Sequence, residues 1–89
     1  MLVVLIARDK EDALQTRLDN RSDHIEYLER SECVSQAGPL LDPDGKMTGS
    51  LIILDVEKME DAQDWAAGDP YAAAGLFESV ELIEWKKVI

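Results

Sequence analysis

The chain has 89 residues, of which 46% are hydrophobic and 31% charged, so we expect one folded domain over residues 1–89 with no room for a second core. Nine Lys and Arg against nineteen Asp and Glu give a formal net charge of −10, which disfavours nucleic acid and membrane surfaces as partners. The single cysteine, Cys33, excludes an internal disulfide, and no apolar run approaches the roughly 20 residues of a membrane span, so we expect a cytoplasmic protein.

The first half of the chain predicts a strand, a helix and a second strand. Residues 2–7 form a short apolar run rich in branched side chains, which favours a buried strand. Over residues 9–30, apolar residues recur at helical spacings, although the polar stretch 19–23 leaves open one long helix or two short ones. Residues 33–41 predict a second strand, which Pro39 places at a sheet edge. The apolar helix face consists of Leu14, Leu18, Ile25 and Leu28.

The second half predicts a turn, a strand, a helix and a last strand. Residues 42–45 have the Asp-Pro-Asp-Gly sequence of a turn. The apolar run at 49–56 predicts the third strand, and the apolar residues within 57–67 predict one face of a second helix. A short turn or helix at 71–75 leads to 77–88, where partial alternation is typical of a half-exposed strand.

This order of elements predicts a ferredoxin-like α+β fold, in which a βαββαβ chain forms a four-stranded antiparallel sheet with its first and third strands in the middle. Those two strands are apolar on both faces, whereas the two helices of this fold cover only one face. The second face therefore needs another cover, and we expect a homodimer that packs through the sheet face.

His24 is the only histidine in the chain, and imidazole is the side chain best suited to proton transfer at neutral pH. On a continuous helix His24 and Arg17 lie at one border of the apolar face, whereas Arg21 lies within it. Two interpretations stay open for this cationic cluster. It is either a surface histidine beside two solvated arginines, or a site for acid–base chemistry on an anion.

Asp69 is the second candidate for chemistry. It precedes Pro70 on a constrained loop after the second helix, where it serves either as a turn former or as a carboxylate that reaches and orients His24. Cys33 is predicted to have a packing role. A single histidine and a single cysteine do not make a metal site, and no phosphate-binding loop is present, so we expect no metal and no cofactor.

Short motifs follow one another along nearly the whole chain. They are Arg17-Leu18, Arg21-x-x-His24-x-x-x-Leu28, Ala37-Gly38-Pro39, Thr48-Gly49-Ser50, Ala62-Gln63-x-Trp65-Ala66, Asp69-Pro70-Tyr71-x-Ala73-Ala74-Gly75 and Lys86-Lys87-Val88. In this order the set resembles the YciI-like (YCII-related domain) family, which implies a dimeric α+β barrel. The resemblance also implies a His-Asp dyad of His24 and Asp69, with substrate-binding neighbours at Arg17, Arg21, Ser50 and Tyr71.

Two functions remain open. The first is a small enzyme in which His24, oriented by Asp69, moves a proton on a small anionic or aromatic substrate, as an isomerase, lyase or dehydrochlorinase without a cofactor. The family is similar in fold to muconolactone isomerase, and one member is associated with dehydrochlorination of a chlorinated hydroxyquinol. The second is a non-catalytic dimeric module that binds a small metabolite or a partner. The chain departs from the family pattern at Ser22, which replaces a common Pro, and in its short loop at 42–47.

Overall fold

A computed structural model describes residues 1–89 as a four-stranded antiparallel sheet with helices on one face. The elements are β1 (Leu2–Asp9), α1 (Leu14–Arg30), β2 (Val34–Leu41), β3 (Met47–Asp55), α2 (Met59–Ala67), α3 (Pro70–Ala73) and β4 (Phe77–Trp85). The sheet order is β2-β3-β1-β4, so the predicted ferredoxin-like fold, with its first and third strands in the middle, is confirmed. None of the helices combines the length and the apolar character that a transmembrane segment requires.

The hydrophobic core lies between the two central strands and the helices. Alternate residues of a strand point to opposite faces, and in the β1–β3 register Val3 lies opposite Leu54 and Leu5 opposite Ile52. Each such aliphatic side chain contributes roughly 1.5–3 kcal/mol when buried, so these rows hold the helices on the sheet. The seven buried core residues are Val3, Leu5, Ala7, Ile52, Leu54, Ala62 and Trp65.

Helix α1 is continuous from Leu14 to Arg30, so the polar stretch 19–23 does not divide it. The helix starts later than predicted because Asp9 belongs to β1, and Asp12, with φ of 56°, lies in the connecting turn. An αL residue of this kind ends the extended conformation and turns the chain towards the helix.

The orientation of α1 on the sheet differs from the predicted one. Leu18, expected on the buried face, is 48% exposed, and Arg21 is also exposed. The buried side chains of the helix are Arg17 and His24, which the apolar pattern placed only at its border. A buried polar side chain is tolerated when it has a hydrogen-bonding partner. Arg17 has the carboxylate of Asp9 as its partner, and His24 has that of Asp69.

The second face of the sheet carries apolar side chains that no helix covers. Val4 lies between Ile53 and Ile83 in the strand register, and Leu2 lies opposite Trp85. Ile83 is 48% and Trp85 40% exposed. The central strands are therefore apolar on both faces, as the sequence predicted.

The hairpin from β2 to β3 places the start of β3 next to α1. The Asp42 carboxylate accepts from the backbone N–H groups of Asp44 and Lys46, and Gly45 takes a φ of 81°, a conformation that glycine adopts without strain. On β3, Gly49 is buried where a Cβ would meet the carbonyl oxygen of Ala7. Glycine therefore allows the close approach of the two strands beside Ser50.

Candidate active site

A cavity of about 200 Å³ lies between α1 and the β2–β3 side of the sheet. It contains five of the six residues that the sequence singled out, and its remaining wall is apolar, with Ile25, Leu28, Pro39 and Met47 among the residues that form it. A cavity of about 150 Å³ accommodates benzene, so this one has room for a single substituted ring. The five predicted residues that line it are Arg17, Arg21, His24, Ser50 and Tyr71.

The sixth predicted residue, Asp69, lies behind His24. Its carboxylate oxygen Oδ1 is 2.8 Å from Nδ1 of His24 and accepts from the backbone N–H of Tyr71 at 2.9 Å. Asp69 is the N-cap of α3, and Pro70 occupies the first helical position, an arrangement that helix starts favour. One carboxylate thus caps α3 and lies within hydrogen-bonding distance of His24.

The tautomer of His24 follows from this contact. Both side chains are almost fully buried, at 8% and 2% exposure. A carboxylate can only accept, so the imidazole places its proton on Nδ1 and leaves Nε2 as an acceptor. Nε2 makes no hydrogen bond within the protein. Every fully buried side-chain nitrogen or oxygen does have a hydrogen-bonding partner, so Nε2 is not one of the fully buried atoms. Nε2 is therefore open to the cavity that His24 lines.

The ring of Tyr71 fixes the plane of the imidazole. It stacks on His24 with a centroid distance of 3.9 Å and an interplanar angle of 16°. The guanidinium carbon of Arg17 lies 4.6 Å from the centroid of the Tyr71 ring, and Phe77 contacts the ring edge on, at 6.0 Å. Tyr71 is 1% exposed. The imidazole, phenol and guanidinium therefore form one stack with little freedom to rotate.

Arg17 is held by a bidentate ion pair with Asp9. Its Nε donates to Oδ2 of Asp9 at 2.7 Å and its Nη2 to Oδ1 at 2.9 Å, while Nη2 also donates to Ser50 Oγ at 3.0 Å. Burial alone would lower the pKa of Arg17, but the hydrogen bonds and the charge of Asp9 outweigh it and leave the pKa raised. Arg17 is thus a permanent cation whose charge is balanced by Asp9, with Nη1 as the nitrogen that donates to neither partner.

Asp9 is the site residue that the sequence reasoning missed. Along β1 it continues the row of Val3, Leu5 and Ala7 that faces the helices, so a signal existed. A carboxylate in that row requires a partner, and Arg17 is the partner. The helical pattern placed Asp9 at the start of the predicted helix, residues 9–30, so it gave no indication of a contact across the turn to Arg17.

Other parts of the molecule offer less chemistry. Cys33 is half-buried against the core, and burial raises the pKa of its thiol, which fits the predicted packing role. No group of three or more His, Cys, Asp or Glu could hold a metal ion. Two further depressions, of about 250 Å³ on the uncovered sheet face and about 390 Å³ beside the turn before α1, contain no histidine.

The two tyrosines predict an alkaline signature of the fold. Burial raises the pKa of both, and the charges of Arg17 and Arg21 only partly oppose it at Tyr71, while Asp69 adds to it at Tyr27. The unfolded chain releases its phenolic protons near pH 10.0, whereas the folded protein keeps them to a higher pH. The free energy of unfolding therefore falls as the pH rises above 10.0.

We expect the midpoint of the phenolate titration, followed by absorbance, to lie above pH 10.0 in the folded protein. In concentrated urea the midpoint should return to its ordinary value. Tyr71→Phe should remove one of the two steps and keep that of Tyr27. A folded-state midpoint at or below the ordinary value contradicts the buried placement of the rings.

Comparison with known proteins gives the chain its family. Residues 1–86 match the YCII-related domain. Protein YciI of Escherichia coli O6:H1 is 39% identical, with 99% of each chain covered, and an uncharacterized protein of Haemophilus influenzae is 34% identical with the same coverage. The solved structure of 5-chloro-2-hydroxyhydroquinone dehydrochlorinase (TftG) from Burkholderia phenoliruptrix AC1100, in complex with 2,5-dihydroxybenzoquinone, is 33% identical with a TM-score of 0.89, and covers 97% of this chain and 94% of that one. The chain belongs to the YCII-related domain family.

Proposed function

We propose that this protein is an enzyme that catalyses proton transfer on a small oxygenated ring, with His24 as the general acid–base residue and Asp69 as its partner. The observation that carries the proposal is the 2.8 Å contact between His24 Nδ1 and Asp69 Oδ1, which leaves Nε2 free at the cavity. An imidazole positioned in this way contributes typically 10²–10⁴-fold to a rate.

The proposed step uses only groups that line or support the cavity. Nε2 of His24 takes a proton from a carbon or a hydroxyl of the substrate, and the imidazolium that forms is stabilised by Asp69. In an elimination from a chlorinated hydroxylated ring, His24 first moves a hydroxyl proton to the ring carbon that carries the chlorine, which gives the keto tautomer. Loss of a second hydroxyl proton then forms a new C=O bond, shifts the ring double bonds and expels chloride from that carbon, so that HCl is lost and a quinone is formed. In an isomerisation, His24 returns the proton to a different carbon. Neither reaction consumes an oxidant or a reductant.

The hydrogen-bonding inventory of the cavity supports an oxygen-rich substrate. Ser50 already accepts from Arg17, so its hydroxyl proton is available to donate. Tyr71 has a raised pKa and remains a neutral donor at pH 7. With Arg17 Nη1 and Arg21, these groups give several donors and, in His24 Nε2, one strong acceptor. Carbonyl, phenolate or carboxylate oxygens match the donors, and one acidic proton matches Nε2.

The relative TftG supports the choice of a ring. That protein is a 5-chloro-2-hydroxyhydroquinone dehydrochlorinase, and its structure contains 2,5-dihydroxybenzoquinone. Both molecules are six-membered rings with several oxygens, of the size that a cavity of about 200 Å³ accepts. We propose hydroxylated rings of this kind as the first substrates to test.

Turnover of 5-chloro-2-hydroxyhydroquinone, followed by chloride release, tests the proposal. We expect His24→Gln, which can still donate to Asp69 but cannot carry the proton, to lower kcat by about 10²–10⁴-fold. Asp69→Asn should lower kcat as well, because the amide does not hold the imidazole in the same tautomer. Asp64→Asn, which changes an exposed carboxylate on α2, is the matched control and should keep the wild-type rate.

Two results would count against the proposal. Unchanged turnover in His24→Gln would remove the assigned base. If hydroxylated rings and small carboxylates stabilise the wild-type protein in a thermal-shift screen but none is converted, the non-catalytic binding module is the better account.

We also propose that the uncovered sheet face packs against a second copy of the chain. The face carries a contiguous row of apolar side chains, and monomeric proteins rarely expose such a patch beyond a few hundred Å². Arg8 lies at one end of the face and Asp55 at the other. A copy related by a two-fold axis across the strands would therefore bring opposite charges together at both ends.

Light scattering tests the dimer directly. We expect a mass of twice the 9.9 kDa chain at micromolar concentration. Ile83→Glu should reduce the mass to that of one chain, because it places a charge in the apolar row that Ile83 forms with Val4 and Ile53. Val80→Glu is the control, since Val80 has similar exposure on the same strand, 44% against 48%, but lies on the opposite face. A single-chain mass for the wild-type protein would exclude this assembly.

A further inference from the structure

We propose that Asp9 determines the charge of the ligand that the cavity accepts. By cancelling the charge of Arg17, Asp9 leaves Arg21 as the one cation at the cavity without a partner, so the site is matched to a ligand with a single negative charge. The inference rests on the proposed function, in that it assumes a small ring bound beside His24.

The Asp9–Arg17 pair is built for charge cancellation. Both hydrogen bonds are short, at 2.7 and 2.9 Å, and the two side chains are 6% and 2% exposed. Solvent therefore screens neither charge, and the carboxylate lies as close to the guanidinium as contact allows. A ligand in the cavity meets an ion pair there, and Arg17 can offer it hydrogen bonds from Nη1 but little net attraction.

The remaining charges at the cavity divide in the same way. Asp69 is in contact with His24 and balances the imidazolium that forms when the ligand gives up its proton. Arg21 lines the cavity, is exposed and makes no ion pair within the chain. Arg17 and His24 are therefore each paired with a carboxylate, and only the charge of Arg21 is left unbalanced to attract an anionic ligand.

The test compares three ring probes of increasing charge: benzamide, benzoate and phthalate, which carry zero, one and two negative charges at pH 7. Isothermal calorimetry on the wild-type protein should show benzoate bound most tightly. Asp9→Asn uncovers the charge of Arg17, and we expect the affinity for phthalate relative to benzoate to rise about tenfold. Glu11→Gln is the matched control, because it removes one charge from the exposed loop that follows β1 and should leave the ratio unchanged.

Two further variants keep the test decisive if Asp9→Asn does not fold, since a buried charge without its partner is costly. Arg21→Gln alters an exposed residue and should abolish the preference for benzoate over benzamide. The double variant Asp9→Asn with Arg17→Gln removes both charges and should restore the wild-type preference.

An unchanged preference in Arg21→Gln, or an unchanged phthalate ratio in folded Asp9→Asn, overturns the assignment of charge selection while the proposed enzyme remains. Failure of all three probes and of hydroxylated rings to bind the wild-type protein would overturn both proposals.

Discussion

The pairing of Arg17 and His24 with two carboxylates from outside their helix determines how α1 lies on the sheet. Rotating the helix to bury Leu18 would gain roughly 1.5–3 kcal/mol of side-chain burial. Breaking even one buried pair costs about 3–5 kcal/mol, because a charged or polar group is left without its partner. The electrostatic term is the larger, and this explains why the most buried residues of α1 are polar and one of its leucines is exposed.

The two pairs also connect parts of the chain that are distant in sequence. Asp9 lies at the end of a central strand and Asp69 caps α3, and both carboxylates contact side chains of α1. Tyr71 contacts both pairs, because its ring stacks on the imidazole of His24 and the guanidinium of Arg17 lies over the same ring. The backbone N–H of the same residue donates to Asp69. The geometry of the imidazole therefore depends on contacts from three elements, β1, α1 and α3.

The elements and their order could be predicted from the sequence because they depend on local patterns. Two apolar runs identified the central strands, and Pro39 identified β2 as an edge strand. The rotation of α1 could not be predicted in the same way, since a helical pattern counts apolar residues and assigns no weight to a carboxylate that approaches from another element. Asp9 was missed for that reason. Ser50 and Tyr71 entered through family resemblance, because nothing in the spacing of the residues indicates that β3 and α3 meet beside His24.

The central claim is that Asp69 holds His24 with its proton on Nδ1 and leaves Nε2 as the base. The ¹⁵N chemical shifts of the two imidazole nitrogens report this directly. For the neutral ring, the account predicts one protonated nitrogen, Nδ1, with a one-bond coupling to its hydrogen, and an unprotonated Nε2. Asp69→Asn should replace that spectrum by an average of the two tautomers. A wild-type ring that is protonated on Nε2, or that already averages both tautomers, would contradict the account.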